Sequence, residues 1–321
     1  MFLLANQTEN GKAFEYATLS SLQARLGNSQ PVIVQHTPSL ETARQFYRAA
    51  NEALRADMNA AANAAIRVLL RMEPQLENFS GNTPLYLSIQ EDAAGMRGDV
   101  RDVLTIRMQN QWEIGISCKH NHTAVKHSRL SASIDFGNLW FGIPCSQNYF
   151  EEINPLFDQL RLMKENDQLW RLVANKEERF YIPLLRAFIN ELRRLDTANP
   201  EIIPNRLLCY LLGVNDFYKI ITNNRLRLTQ VQAYNMHGTL NRNAGNIRPQ
   251  IRLPQLPLPN RFFNIDFRPG SQNTIHIVCN EGWTISMRIH NASSRVEPSL
   301  KFDVTLVGVP QGLYSHTEAW R

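Results

Sequence analysis

Residues 102–119, DVLTIRMQNQWEIGISCK, alternate apolar and polar positions on either side of a Gln-Asn-Gln break, the period-two pattern of two strands joined by a tight turn. PLYLSIQ (84–90) reads as a third strand just before them. Nearer the start, GKAFEYATLSSLQARL (11–26) spaces Phe14, Ala17 and Leu22 along one face of a helix, and PVIVQHT (31–37) reads as a strand. An Ala-rich stretch from Leu40 to Met72 has no internal Gly or Pro and predicts one long helix that ends before Pro74. The middle of the chain is helical in pattern over 148–166 and 176–195, with a shorter helix near 206–213. Beyond Asp216 the pattern shortens to strands at 217–222, 225–234, 261–267, 273–280, 282–290 and 300–308, divided by an extended proline-rich stretch at 248–261. The expected plan is therefore an α/β region over 1–147, a helical section over 148–215 and a β-rich region over 216–321.

The hairpin is where chemistry gathers. With the turn at Gln109-Asn110, antiparallel pairing sets opposite each other residues whose numbers sum to 219, so Asp102 faces Ser117. A turn one or two residues longer puts it opposite Cys118 or Lys119. Alternation sends Glu113, Gly115, Ser117 and Lys119 to one face and Ile114, Ile116 and Cys118 to the other. A carboxylate and a lysine meeting at a strand end suit metal-assisted phosphodiester cleavage: the carboxylate would hold Mg²⁺, and the lysine would steady the attacking water or the developing negative charge. A turn aspartate beside a lysine that reaches solvent would give the same letters.

Composition sets limits. At 321 residues with 43% hydrophobic content the chain can bury a large core, and no run approaches a membrane span. The start, MFLLANQTENGK, lacks the basic lead and cleavage site of a signal peptide. Four widely spaced cysteines without a CxxC pair suit reduced thiols in a cytoplasmic protein rather than a zinc site. The net charge of +5 is modest, yet the stretch between Asp216 and Asp266 holds no acid while carrying Lys219, Arg225, Arg227, Arg242, Arg248, Arg252 and Arg261. Such a segment, rich also in Asn and Gln, is the footprint of a polyanion-binding surface.

Gly98-Asp99-Val100-Arg101-Asp102-Val103-Leu104, followed by a strand ending Ser-x-Lys, resembles the core of the PD-(D/E)xK nuclease superfamily. The wider set GKAFEYA, GDVRDVL, WEIGISCKHNHTAVKHSRLS, DFGNLWFGIPCS and RIHNASSRVEPSLKFDV, spread over about residues 11–308, is similar to the HaeIII-type restriction endonucleases. That resemblance implies a PD-(D/E)xK-like mixed sheet flanked by helices, and Mg²⁺-dependent cleavage of double-stranded DNA at GGCC. It makes 1–147 the nuclease core and 216–321 the DNA-recognition region. It also implies catalytic roles for Asp102, Lys119 and Ser117, the last standing where the superfamily carries an acid. Glu15, on the first helix, is the substitute acid on this resemblance, sharing the metal with Asp102. Glu113 lies four strand residues from Ser117, roughly 13 Å, too far to reach back. Asp99 sits before the strand and is the alternative to Asp102.

His120-Asn121-His122 spells HNH, but that nuclease needs its second metal histidine on a later helix, and here His127 follows too soon. His120, His122, Lys126, His127 and Arg129 fit better as phosphate contacts beside the site, or as a solvated turn. Trp140, Phe141, Trp283 and Phe302 read as core. For base recognition the candidates are Arg225, Arg227, Arg242, Arg288 and Arg295, since arginine pairs with guanine O6 and N7. A palindromic site suggests a homodimer, and restriction requires a partner cytosine methyltransferase that protects host DNA. A DNA-binding protein with a degenerate site, or a structure-directed repair nuclease, would share the same sequence features.

Overall fold

The computed structural model describes residues 2–77, 83–91, 98–121 and 125–321, and for residues 2–6 and 127 the backbone only. The chain divides into two compact units. Met1–Thr123, Gly213–Leu256 and Gly312–Arg321 form the first, and Ala124–Leu212 with Pro257–Gln311 form the second. The units interleave along the chain rather than following its order.

The first unit is built on a seven-stranded mixed sheet. Its strands are β1 (Val32–Val34), β2 (Leu85–Ile89), β3 (Val103–Arg107), β4 (Trp112–His120), β6 (Phe217–Asn223), β7 (Leu228–Tyr234) and β12 (Tyr314–Ala319), lying side by side in that order. β1 and β2 pair in parallel, as do β4 and β6, and the remaining neighbours are antiparallel. Among the described residues three helices accompany it: α1 (Phe2–Leu26), α2 (Pro38–Ala49) and α3 (Glu52–Met72). The stripe expected on α1 is the buried one, with Phe14, Ala17 and Leu22 sealed against β4 and α3.

The single long helix expected over 40–72 is two. Ala50 leaves the helical region at ψ 144°, and Asn51 caps α3 by accepting the Leu54 N–H at 2.8 Å. Asparagine is a poor interior residue but a strong N-cap, and that preference outweighs the alanines around it. A second departure is the turn at Glu177–Tyr181, which winds as a π-helix before the helix Ile182–Ala198. Pro183 follows and has no N–H for the residue four earlier, so the regular ladder cannot run through it.

The second unit carries a five-stranded antiparallel sheet of β5 (Lys126–Leu130), β11 (Leu300–Gly308), β10 (Thr284–His290), β9 (Thr274–Cys279) and β8 (Phe262–Phe267), in that order. Its helices are α4 (Phe136–Phe141), α5 (Gln147–Glu165), α6 (Ile182–Ala198) and α7 (Ile203–Leu212). Trp140, Phe141, Trp283 and Phe302 are buried, as a core role requires. Neither β5 nor β12 was evident in the sequence pattern. Both are edge strands with polar letters, since an edge needs only one apolar face and one paired side. Among the described residues no helix is long and apolar enough to cross a membrane, and the four cysteines are unpaired.

Replacing Asn51 with alanine removes the cap of α3. Urea unfolding should show a loss of about 1 kcal/mol, with the slope of the transition unchanged.

Candidate active site

The β3–β4 hairpin has the register expected from its sequence. Val103 pairs with Ile116 and Arg107 with Trp112, so each pair sums to 219, and a short 3₁₀ turn at Met108–Asn110 with left-handed Gln111 (φ 47°) closes it. Pairing continues one step beyond β3, where the Asp102 N–H donates to the Ile116 carbonyl at 2.8 Å. That step sets the Asp102 carboxylate against the end of β4. Its Oδ2 accepts the Cys118 backbone N–H at 2.6 Å and the Ser117 hydroxyl at 3.3 Å, and lies 3.5 Å from Lys119 Nζ. Among the described residues its Oδ1 has no hydrogen-bond partner. Ser117 thus fills the place of the absent acid as a donor to Asp102, which removes one negative charge from the cluster.

The second carboxylate comes from α1. Glu15 is buried, with Lys12 Nζ 3.2 Å from its Oε2. Burial, reinforced by the Asp102 charge, pushes the Glu15 carboxyl up to about 8, while Lys12 and Lys119 pull the other way. Asp102, Glu15, Ser117 and Lys119, drawn from positions about a hundred residues apart in sequence, act on one another in one pocket of charge.

A further lysine was read in sequence only as part of a basic run. Lys219 lies on β6 directly beside Ser117 in the parallel register, and it is buried. Loss of hydration, with the nearby Lys119 charge, pushes its amine down to about 7. The available signal was local: FYKIIT is apolar on both faces, the mark of a strand covered on both sides, so a lysine inside it must be buried.

Asp99 and Glu113 belong to a neighbouring arrangement. The Arg101 guanidinium binds both Asp99 oxygens, at 2.6 and 2.8 Å, and also pairs with Glu113. Its stem lies across Gly115, where a Cβ would run into it, so the glycine is what lets Arg101 cross the strand. Both acids are thereby held by Arg101.

The 120–129 cluster is divided between the two units. His120 is buried beside Phe14 of α1, ring centroids 6.3 Å apart, and burial holds its imidazole below the ordinary range. His122 lies outside the described residues. Lys126, His127 and Arg129 belong to β5 of the second sheet, and there Lys126 donates to the Tyr210 carbonyl at 2.8 Å, with Nζ 3.7 Å above the Tyr210 ring. Arg129 pairs with Glu297 at 2.7 Å. Of the five recognition arginines, three are held within the fold: Arg227 by Asp57 at 2.9 Å, Arg288 by Asp303 at 2.7 Å, and Arg295 by Asp167. Arg225 and Arg242 are exposed and have no ion pair among the described residues.

The pocket can accommodate a hard divalent cation. Mg²⁺ takes oxygen ligands and needs only one or two carboxylates when substrate phosphate supplies the rest. Asp102 offers an unengaged oxygen, and Glu15 is a carboxyl whose proton a cation would displace. No group of three or more His, Cys, Asp or Glu side chains suited to a metal occurs among the described residues.

The sequence pattern of the HaeIII restriction endonuclease family matches residues 11–310. The type II restriction enzyme HaeIII of Haemophilus aegyptius is 40% identical over 312 residues, which cover 97% of this chain and 98% of that enzyme. No solved structure matches the chain. The protein is a type II restriction enzyme, a site-specific deoxyribonuclease whose substrate is double-stranded DNA. Within that class, the chain belongs to the HaeIII restriction endonuclease family.

Glu15 also sets a pH dependence. Between about 4.5 and about 8 the unfolded chain has released this proton while the folded one keeps it, so the folded state loses stability as pH rises through that window. Glu15→Gln in EDTA should therefore melt above the wild type by a margin that grows from pH 5 to pH 8. Equal melting points across the range would contradict the assignment.

Proposed function

We propose that the protein cuts double-stranded DNA at the palindrome GGCC, with Mg²⁺ held by Asp102 and Glu15. The observation that carries this reading is the convergence on Asp102 of Ser117, Cys118 N–H and Lys119, with Glu15 acting on the same carboxylate. A cation held there would polarise the scissile phosphate and lower the pKa of a bound water. The chain's own groups do the rest. The Cys118 N–H and Ser117 hydroxyl fix Asp102 so that its Oδ1 stays free for the cation. Lys119 holds positive charge beside the reacting phosphate and stabilises the extra negative charge of the transition state. Lys219, buried next to Ser117, adds a second amine to the same pocket.

Family membership supports the GGCC site, and a palindrome cut on both strands supports action as a homodimer beside a cytosine methyltransferase in the cytoplasm. The first unit is the nuclease core in this reading. Among the candidate DNA contacts Arg225 and Arg242 come first, because Arg129, Arg227, Arg288 and Arg295 must first release their acids.

Lys119→Ala should cut plasmid DNA at least about a hundredfold more slowly with Mg²⁺, the usual cost of removing one transition-state charge partner. It should still retard GGCC duplex in a gel with Ca²⁺. Wild-type fragments should be discrete and should vanish in EDTA; a Lys119→Ala protein cutting at the normal rate would remove Lys119 from the mechanism.

A further inference from the structure

Beyond the end of the catalytic strand lies a groove of about 620 Å³ that the chemistry above does not use. It is formed wholly within the first unit, by Asn121 after β4, the end of β6, the turn at 223–227 and the start of β7, with Thr317 from β12. Five of its lining side chains are amides or a guanidinium: Asn121, Asn223, Asn224, Arg225 and Gln230.

Three of these are already engaged in the fold. Asn223 Oδ1 accepts the Leu226 N–H at 3.0 Å and so shapes the turn. Gln230 donates to Ser315 at 2.9 Å. Asn121 accepts the Asn224 backbone N–H at 3.0 Å, while its own N–H donates to Thr222 at 3.2 Å. Two remain. Arg225 is exposed without an ion pair among the described residues, although Arg227, two positions on, is paired with Asp57 and stacked over Trp320. Asn224 Oδ1 has no partner among the described residues, and it is shielded from water. An unmet acceptor of this kind carries a cost, and turning it towards a donor breaks no existing bond.

An arginine offers only donors and a carboxamide oxygen only an acceptor. In the DNA major groove, guanine presents two acceptors, O6 and N7, and cytosine presents the N4 amine as a donor. An A·T pair lacks that arrangement, since adenine places a donor where guanine has O6. We propose that this groove reads one G·C pair through the major groove, Arg225 binding the guanine and Asn224 the cytosine amine. The assignment rests on the reading of the protein as a sequence-specific nuclease and adds to it the residues that choose a base. Asn121 gives the reader a second property: it is two residues from Lys119 and bonded to the reading turn, so the base-reading turn is attached directly to the strand that carries the catalytic lysine.

The test is selection of bound duplexes from a randomised pool in Ca²⁺, read by sequencing, for the wild type, Arg225→Gln and Asn224→Ala. Both side chains lie in an exposed or half-buried turn without partners of their own, so the variants should fold; their melting curves check this. The wild type should enrich a defined motif. Each variant should lose the preference for G·C at one position of the half-site and at its palindromic mate, the same in both variants, by about ten- to a hundredfold, with the other positions kept. An unchanged motif in Arg225→Gln overturns the proposal, as do losses at different half-site positions in the two variants or a wild type that enriches nothing. Uniformly weaker binding with a salt slope reduced by about one also overturns it, because that is a phosphate contact. Failure of the catalytic reading is separate: a wild type that enriches its motif in Ca²⁺ but cuts nothing in Mg²⁺ removes the metal site and leaves the reader intact.

Discussion

The hydrogen bond from the Cys118 backbone N–H to Asp102 is the constraint on which the site depends. It exists because the β3–β4 pairing runs one residue past β3, and a shift of one residue would turn every side chain of the strand to the opposite face. With the register fixed, a backbone donor, a hydroxyl and an ammonium meet one carboxylate oxygen, while the other oxygen stays unengaged. Burial against α1 then brings Glu15 under the influence of the same charge. A cluster of this kind is costly to bury, and the surrounding apolar residues of α1, α3 and the sheet offset that cost.

The hairpin is legible in sequence to within two residues of register, because strand alternation and a short polar turn leave few pairings, and the shortest turn is the one observed. Glu15 was different: its letter in GKAFEYA says only that a helix carries an acid, and the resemblance gave it a role. Lys219 was overlooked because its charge was counted with the arginines that follow it, although its apolar neighbours distinguish it from them. The break at Asn51 was hidden by the alanines on both sides. β5 and β12 escaped notice because edge strands need so little apolar patterning.

The basic letters show how weak a guide formal charge is to available charge. The sequence marked a run of cations as a surface for DNA, and most of the candidates prove to be committed: Lys126 to a tyrosine, Arg129, Arg227, Arg288 and Arg295 to acids. Those partnerships depend on residues as distant in sequence as Asp57 from Arg227, so no local pattern announces them. What separates Arg225 from Arg227 is a turn that faces one outward and folds the other back onto α3 and the chain end.

The interleaving of the two units bears on synthesis. The chain passes between them four times, and β4, which carries Lys119, has as one of its two sheet neighbours a strand translated about a hundred residues later. A nascent chain that has already emerged beyond Asp102 and Lys119 still lacks β6, and the sheet edge at β12 follows only about ninety residues after that. A product that stops before β6 therefore holds Asp102 and Lys119 without the strand that pairs with β4. For an enzyme that damages any DNA it can cut, such a chain order ties alignment of that strand to the arrival of β6.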